Sequence, residues 1–298
     1  MSLASRVLSV KDYVAKGDVS HDDTAAFYAA MAAATNEQEI WIPAGTYILD
    51  KIEITKAGLT FSGVGSATSI LKLKNNATCT LLRISAHNIT IRDLQVDANS
   101  TNQTTVRNCI FAWTAPYTRV LNCYLRNSWG NGSKPALTFD GGSDYSIAQG
   151  CTFDHVDQAV VVQASSYCQI LDNVATDTNI SEAYAVYQPD GDPINHTHDN
   201  YIARNTVTNS TGPAFVAENA NTNIFENNTA INCKGGFYAY GRGVYGLTHD
   251  NIFRKNTAIG GPLSDEYGLY AGNDAYNNQF LGNHVTDWTH AHTTLYNT

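Results

Sequence analysis

The sequence predicts an all-β fold, a single-stranded right-handed parallel β-helix with an N-terminal capping helix, and three observations carry that expectation. A short motif of alternating apolar residues recurs from residue 58 to the end of the chain. Each later recurrence is followed by a second short apolar strand, and one amphipathic helical stretch stands ahead of the first repeat.

The motif closes on Gly, Asp or Asn. It reads GLTFSG (Gly63), ITIRD (Asp93), TRVLN (Asn122), SIAQG (Gly150), QILDN (Asn173), YIARN (Asn205), IFENN (Asn228), IFRKN (Asn256) and QFLGN (Asn283). Successive anchors are 30, 29, 28, 23, 32, 23, 28 and 27 residues apart, so a basic coil of about 23 residues carries insertions of varied length. The second strands include AVVVQ, AVYQ, FVAE, FYAYG and GLYAG. Two or three strands of this length per turn suit a parallel β-helix, whereas leucine-rich and helical repeats need regular Leu positions or long 3.6-period stretches that are not found after residue 58. The run of Asn anchors predicts side-chain amides hydrogen-bonded from coil to coil.

An open strand edge invites association with other chains, and the N-terminus supplies a cover. Asp22 or Asp23 is placed to cap a helix over Thr24 to Ala34, with Phe27, Ala30, Met31 and Ala34 on one face toward the first coil. Residues 1–57 read as this segment and the first strands, and residues 58–298 as one continuous run of coils. Thr293 to Thr298 still reads as an ordinary coil strand, which leads us to expect a truncation or a partner at that end.

Composition narrows the function. The chain has 43% hydrophobic residues, 15% charged residues and a net charge of −9, and no basic stripe interleaved with aromatics, so nucleic acid is an unsuitable partner. It has no apolar run of membrane-spanning length and no signal-peptide pattern. Six sparse cysteines without a CxxC pair read as buried thiols rather than a disulfide scaffold.

Val10-Lys11-Asp12-Tyr13-Val14-Ala15-Lys16-Gly17-Asp18, then His21-Asp22-Asp23-Thr24-Ala25-Ala26, then Ile40-Trp41-Ile42-Pro43-Ala44-Gly45-Thr46-Tyr47, resembles the opening of pectate-lyase-like β-helix proteins. That superfamily includes polysaccharide lyases, glycoside hydrolases, mannuronan C5-epimerases and phage tailspike or appendage proteins, and the later coils look similar to the epimerase module. The resemblance implies carbohydrate chemistry or binding in an extracellular or virion-associated setting, and a homotrimer if the chain is a tailspike. Two departures stand out. Val14 and Val19 occupy positions where relatives usually carry Gly, and the Asp-Pro-His triplet of the epimerases is not found on the matching strands, since Asp192-Pro193 falls in a loop. The epimerase active site is therefore not carried over.

Candidate site residues come from the second strands. Aligning them by apolar residues turns Val161, Val186, Val216, Ala239, Leu269 and Leu295 inward and Phe139, Val162, Tyr187, Ala217, Tyr240, Tyr270 and Tyr296 outward. Phe139 and the four tyrosines then make an aromatic track for sugar rings. Beside it runs a polar column of Asp140, Gln163, Gln188, Glu218, Arg242 and Asn273. The long insertion after Tyr187 concentrates Asp190, Asp192, His196, His198 and Asp199. Asp190 or Asp192 with Glu218 is the pair for glycosidase chemistry, while Tyr187, Tyr240, His196 and Arg242 are the set for a lyase or epimerase. No cofactor and no metal site is assigned. Calcium is the ion that the loop's oxygen ligands would suit. The chain is thus expected to cleave or modify a polysaccharide along one face of the helix, the other reading being a glycan-binding adhesin or tailspike module.

Overall fold

The structure, a computed structural model, describes residues 7–105, 108–130, 134–179, 181–189, 197–241, 248–272, 275–288 and 290–292. Three parallel sheets of 11, 11 and 10 strands run its length, and neighbours within each sheet come from successive coils. We call them A (Val7–Ser9 to Gln279–Leu281), B (Asp18–Asp22 to His284–Thr286) and C (Ile52–Ile54 to His290–His292). Each full coil contributes one strand to each sheet, which is the expected parallel β-helix.

The turn from sheet A to sheet B has a fixed backbone recipe. Asp93, Asn122, Gly150, Asp172, Arg204, Asn227, Lys255 and Gly282 all adopt the left-handed conformation, with φ from 52° to 66°. The next residue points inward: Cys123 and Cys151 in two earlier coils, then Asn173, Asn205, Asn228, Asn256 and Asn283. Each Asn Oδ1 from Asn205 onward accepts from both the backbone N–H and the Nδ2 of the Asn one coil before it, at 2.9–3.1 Å. Each Nδ2 also donates to a backbone carbonyl, as Asn205 does to Ile170 at 2.8 Å. A second ladder, Asn200, Asn223, Asn251 and Asn278, does the same at the turn into sheet A. The sequence anchors Gly63, Asp93, Asn122 and Gly150 therefore share one column, and those from Asn173 onward sit one residue later, inside the ladder. The two were merged because Asn is suited both to the left-handed turn and to the buried amide position.

Apolar columns fill the interior. Tyr184, Phe215 and Phe237 stack at 5.3 and 4.9 Å, and Phe225, Phe253 and Phe280 at 4.5 and 4.8 Å. No disulfide joins any of the six cysteines. Burial pushes the Cys168 and Cys233 thiols up to about 12, so they pack as small apolar groups and are poor nucleophiles.

The capping helix spans Thr24–Ala33, and its Ala26, Phe27, Ala30 and Met31 are buried in the core, as is Ala34 just beyond it. Asp23 is the N-cap residue, yet its carboxylate turns back to accept from the Lys16 and Gly17 amides at 2.6 and 2.9 Å, while Asp22 accepts from the Thr24 amide at 3.0 Å. Lys56 Nζ donates to the Met31 and Ala32 carbonyls at the other end, where a cation complements the helix dipole. No helix among the described residues is long and apolar enough to cross a membrane.

Val14 and Val19 do adopt left-handed backbone, with φ of 75° and 73°. A β-branched residue there clashes with its own backbone at a cost of about 1–2 kcal/mol. Both side chains are exposed, so replacement loses little packing. Val14→Gly and Val19→Gly should each raise stability by about 0.5–1 kcal/mol after the entropy of the more flexible unfolded chain is subtracted, measurable as a higher denaturation midpoint. A lower midpoint would mean that the turns are not left-handed.

Candidate functional site

Sheet C carries the site on its outer face. Its in-register pairs stack Phe139, Val162, Val186, Ala217 and Ala239 in one column and Leu137, Val160, Tyr184, Phe215, Phe237 and Leu269 in another, and both columns belong to the core. The residues between them face outward: Thr138, Val161, Ala185, Val216, Tyr238 and Tyr270 in one row, and Asp140, Gln163, Tyr187, Glu218, Tyr240 and Gly272 in the other.

This corrects the alignment drawn from sequence. Phe139 is fully buried in the core, and Val162 and Ala217 likewise point inward, while Val161 and Val216 point outward. In AVVVQ every candidate position is apolar, so hydrophobicity does not mark the face, and a one-residue slip exchanges the two faces. Gln188 is buried just past its strand, and the place expected for it in the polar row is taken by Tyr187.

Tyr240, Tyr238, Val161, Ala185 and Val216 pack together on the outer face, so Tyr240 is 9% exposed although its strand position is outward. From there its hydroxyl meets two carboxyls, Glu218 Oε2 at 2.8 Å and Glu182 Oε1 at 3.0 Å. Glu182 lies just ahead of Tyr184–Tyr187, where Oε2 also accepts from Gln158 Nε2 at 3.2 Å and from the Ser181 hydroxyl. Burial, and then the charges of Glu182 and Glu218, hold the Tyr240 phenol far above its ordinary value. It is a proton-bearing bridge between two acids.

Glu182 and Glu218 line a central cavity of about 450 Å³ together with Asp140, Gln158, Gln163 and Tyr187. Beside it, over the turns that leave the same sheet C strands, a cavity of about 730 Å³ shares Asp140 and Gln163 with it and adds Trp113 and Tyr167. Toward the C-terminal coils a cavity of about 520 Å³ shares Glu182 and adds Tyr238, Tyr240, Tyr267 and Tyr270, with the Tyr267 and Tyr270 rings stacked at 5.6 Å. The three form one groove across the coils. Asp140 is 6% exposed within it, and burial raises its carboxyl to about 6.

Of the residues singled out from sequence, Tyr187, Glu218, Tyr240 and Tyr270 line this groove. Asp190, Asp192, His196, Arg242 and Tyr296, with Asn273 and Leu295, lie outside the described residues. Sequence reasoning missed Glu182 and Trp113. The signal for Glu182 was its offset, an acid two residues ahead of a sheet C strand at the position that Gln158 holds one coil earlier. The set Asp154, His155 and Asp177 brings ligand-type atoms within 4.8 Å of one another, but on sheet B and its turn, away from the groove. There Asp154 already accepts from the Tyr124 hydroxyl at 2.7 Å and contacts His155 Nδ1 at 2.7 Å.

Comparison with known proteins agrees with this architecture. The family model for rhamnogalacturonase A/epimerase, pectate lyase-like proteins matches residues 7–238. No curated protein matches the chain in sequence. Among solved structures, the A-module of the Azotobacter vinelandii mannuronan C-5 epimerase AlgE6 superposes with a TM-score of 0.64 at 17% identity, over 97% of this chain and 96% of that one. An alginate lyase from Paenibacillus sp. gives 0.69 at 12% identity over 96% and 99% of the two chains. A tailspike protein of E. coli bacteriophage HK620, solved with a hexasaccharide, gives 0.70 at 15% identity over 94% of this chain and 57% of that one. The extent of the family match establishes that the chain belongs to the rhamnogalacturonase A/epimerase, pectate lyase-like family.

Proposed function

We propose that the protein hydrolyses a neutral or amino-sugar polysaccharide in the sheet C groove, with Glu218 as general acid and Glu182 as nucleophile. The observation that carries this is the single Tyr240 hydroxyl within hydrogen-bond distance of both carboxyls. A phenol brings one proton, so two such contacts are both favourable only when one carboxyl carries a proton of its own. Glu218 is 5% exposed and takes the same hydroxyl on Oε2, and it is the carboxyl to which we assign the proton. Glu182 collects donors from Gln158, Ser181 and Tyr240, the surroundings of a carboxylate.

The two contacting oxygens lie within about 6 Å of each other, which fits the short carboxyl spacing of retaining glycosidases better than the wider gap that admits a water in inverting ones. Glu218 would give its proton to the departing glycosidic oxygen as Glu182 attacks the anomeric carbon and forms a glycosyl ester. Glu218, now a carboxylate, would then take a proton from water, whose oxygen displaces Glu182. Asp140 is three strands from Glu218, roughly 14 Å along the sheet, too far to complete the pair.

Hydrolysis is favoured over elimination by two features. A tyrosine base would have to ionise, and burial with two carboxyls works against that at Tyr240. Apart from the proton-bearing Glu218, the described groove lining carries Asp140, Asp144, Glu182 and Glu266 against Lys134 and Lys234, and Lys234 is paired with Glu266 at 3.3 Å. That balance repels uronates. The reading puts the protein outside the cell or on a virion, where long glycans are met.

Against a panel of neutral, amino-sugar and uronate polymers, the expected result is new reducing ends without unsaturated-uronate absorbance. Glu182→Gln and Glu218→Gln should each lower kcat by about a thousandfold or more with KM little changed. Unsaturated products would make the protein a lyase, and retention without cleavage would make it a glycan-holding module.

Asp140 gives a separate stability test. Its folded value of about 6 lies above the ordinary 3.8, so its contribution is present below about pH 4 and is lost as pH rises toward 6. Asp140→Asn should remove that dependence and stabilise the protein at pH 7 by on the order of 2–3 kcal/mol, read from melting temperatures across pH. Parallel pH profiles for the two proteins would show that Asp140 titrates normally.

A further inference from the structure

Trp113 ends the strand Ile110–Trp113 and pairs in register with Asp140 one coil on. Its side chain is 43% exposed, yet one face is held. A Cβ built on Gly141 would stand 3.2 Å from ring atoms Cδ2 and Cε2, and Gly141 has φ +60°, so the indole lies on bare backbone that a larger residue would fill. Phe111 packs beside it, with ring centroids 6.1 Å apart and planes 22° apart. The indole is thus fixed in place where it borders a cavity lined also by Asp140 and Gln163.

The other exposed aromatic row serves a different purpose. Tyr117, Tyr145 and Tyr167 stack face to face at 5.2 and 4.9 Å with planes 11° and 9° apart, so their faces are spent on one another and their edges meet water. A sugar needs an aromatic face for its C–H surface and polar groups at its rim. Trp113 with Asp140 and Gln163 offers that combination.

The coil of Trp113 lies three strands of sheet C before the coil of Glu182, which is about 14 Å at the spacing of neighbouring strands. One coil step is close to the length of one pyranose residue. We propose that Trp113, Asp140 and Gln163 form a distal subsite for a neutral or amino sugar, about three residues from the bond that is cut. The tyrosines at the far end of the groove hold the chain beyond that bond, so the substrate is an internal stretch of polysaccharide and the cut is endo. This rests on the glycan-cleaving reading of the same groove, and it adds the substrate's length and the place where that length is sensed.

The test uses an array of neutral, amino-sugar and uronate oligosaccharides from disaccharides to chains of about eight residues. Binding is measured in a Glu182→Gln background so that cleavage does not intervene. Trp113→Ala should weaken binding of the longer retained glycans about tenfold and leave di- and trisaccharides unchanged. Trp113→Tyr should restore most of the loss. Tyr117→Ala, which removes an equally exposed ring that does not line the groove, should change neither. Equal binding by Trp113→Ala, an equal loss in Tyr117→Ala, or no retained oligosaccharide would each overturn the proposal. The two readings fail separately: full cleavage by Glu182→Gln would defeat the catalytic assignment while leaving a Trp113-dependent length effect standing.

Discussion

The hydrogen bond from one Asn side chain to the Asn of the next coil is the constraint on which the rest of this molecule depends. It sits one residue after the left-handed turn residue between sheets A and B, and each buried amide in it both donates and accepts along the axis. Removing one amide would strand several buried partners, at about 1–3 kcal/mol for each group left unsatisfied. From Asn173 onward the ladder therefore ties each coil to the next in register, and register decides which side chains of sheet C face the groove.

That transmission accounts for the site. Glu182, Glu218 and Tyr240 come from three successive coils and are far apart in sequence, but parallel in-register pairing places their strands side by side. The two carboxyls are then near enough to share a phenol. The scaffold is rigid and repetitive, and chemistry enters at a few outward positions and in the turns after sheet C, where the longest insertions fall.

Much of this was legible in the sequence. The repeat, the second strands and the helix face of Phe27, Ala30, Met31 and Ala34 follow from periodicity that burial enforces. The face of the strand holding AVVVQ was not legible from its run of apolar residues, because alternation is the sequence signal for facing and that run has none. Phe139 was misassigned because it was aligned with Val162 of that run, although its own strand, Leu137-Thr138-Phe139-Asp140, alternates and marks it as inward. Glu182 was hidden because it acts from a strand end, where the backbone bends and simple alternation lapses, and Trp113 because its importance lies in a glycine one coil away. Tyr240 was singled out for its outward position, but its role as a bridge depends on two acids that only the winding of the chain brings to it.

The central claim is that the Glu182–Tyr240–Glu218 cluster holds one extra proton at neutral pH, on Glu218. Infrared spectroscopy of protein carrying carbon-13 at the Glu carboxyls tests it directly. The account expects one protonated-carboxyl band near pH 7 that disappears in Glu218→Gln and persists in Glu182→Gln. No such band in the wild-type protein, or a band that Glu218→Gln leaves untouched, would contradict it.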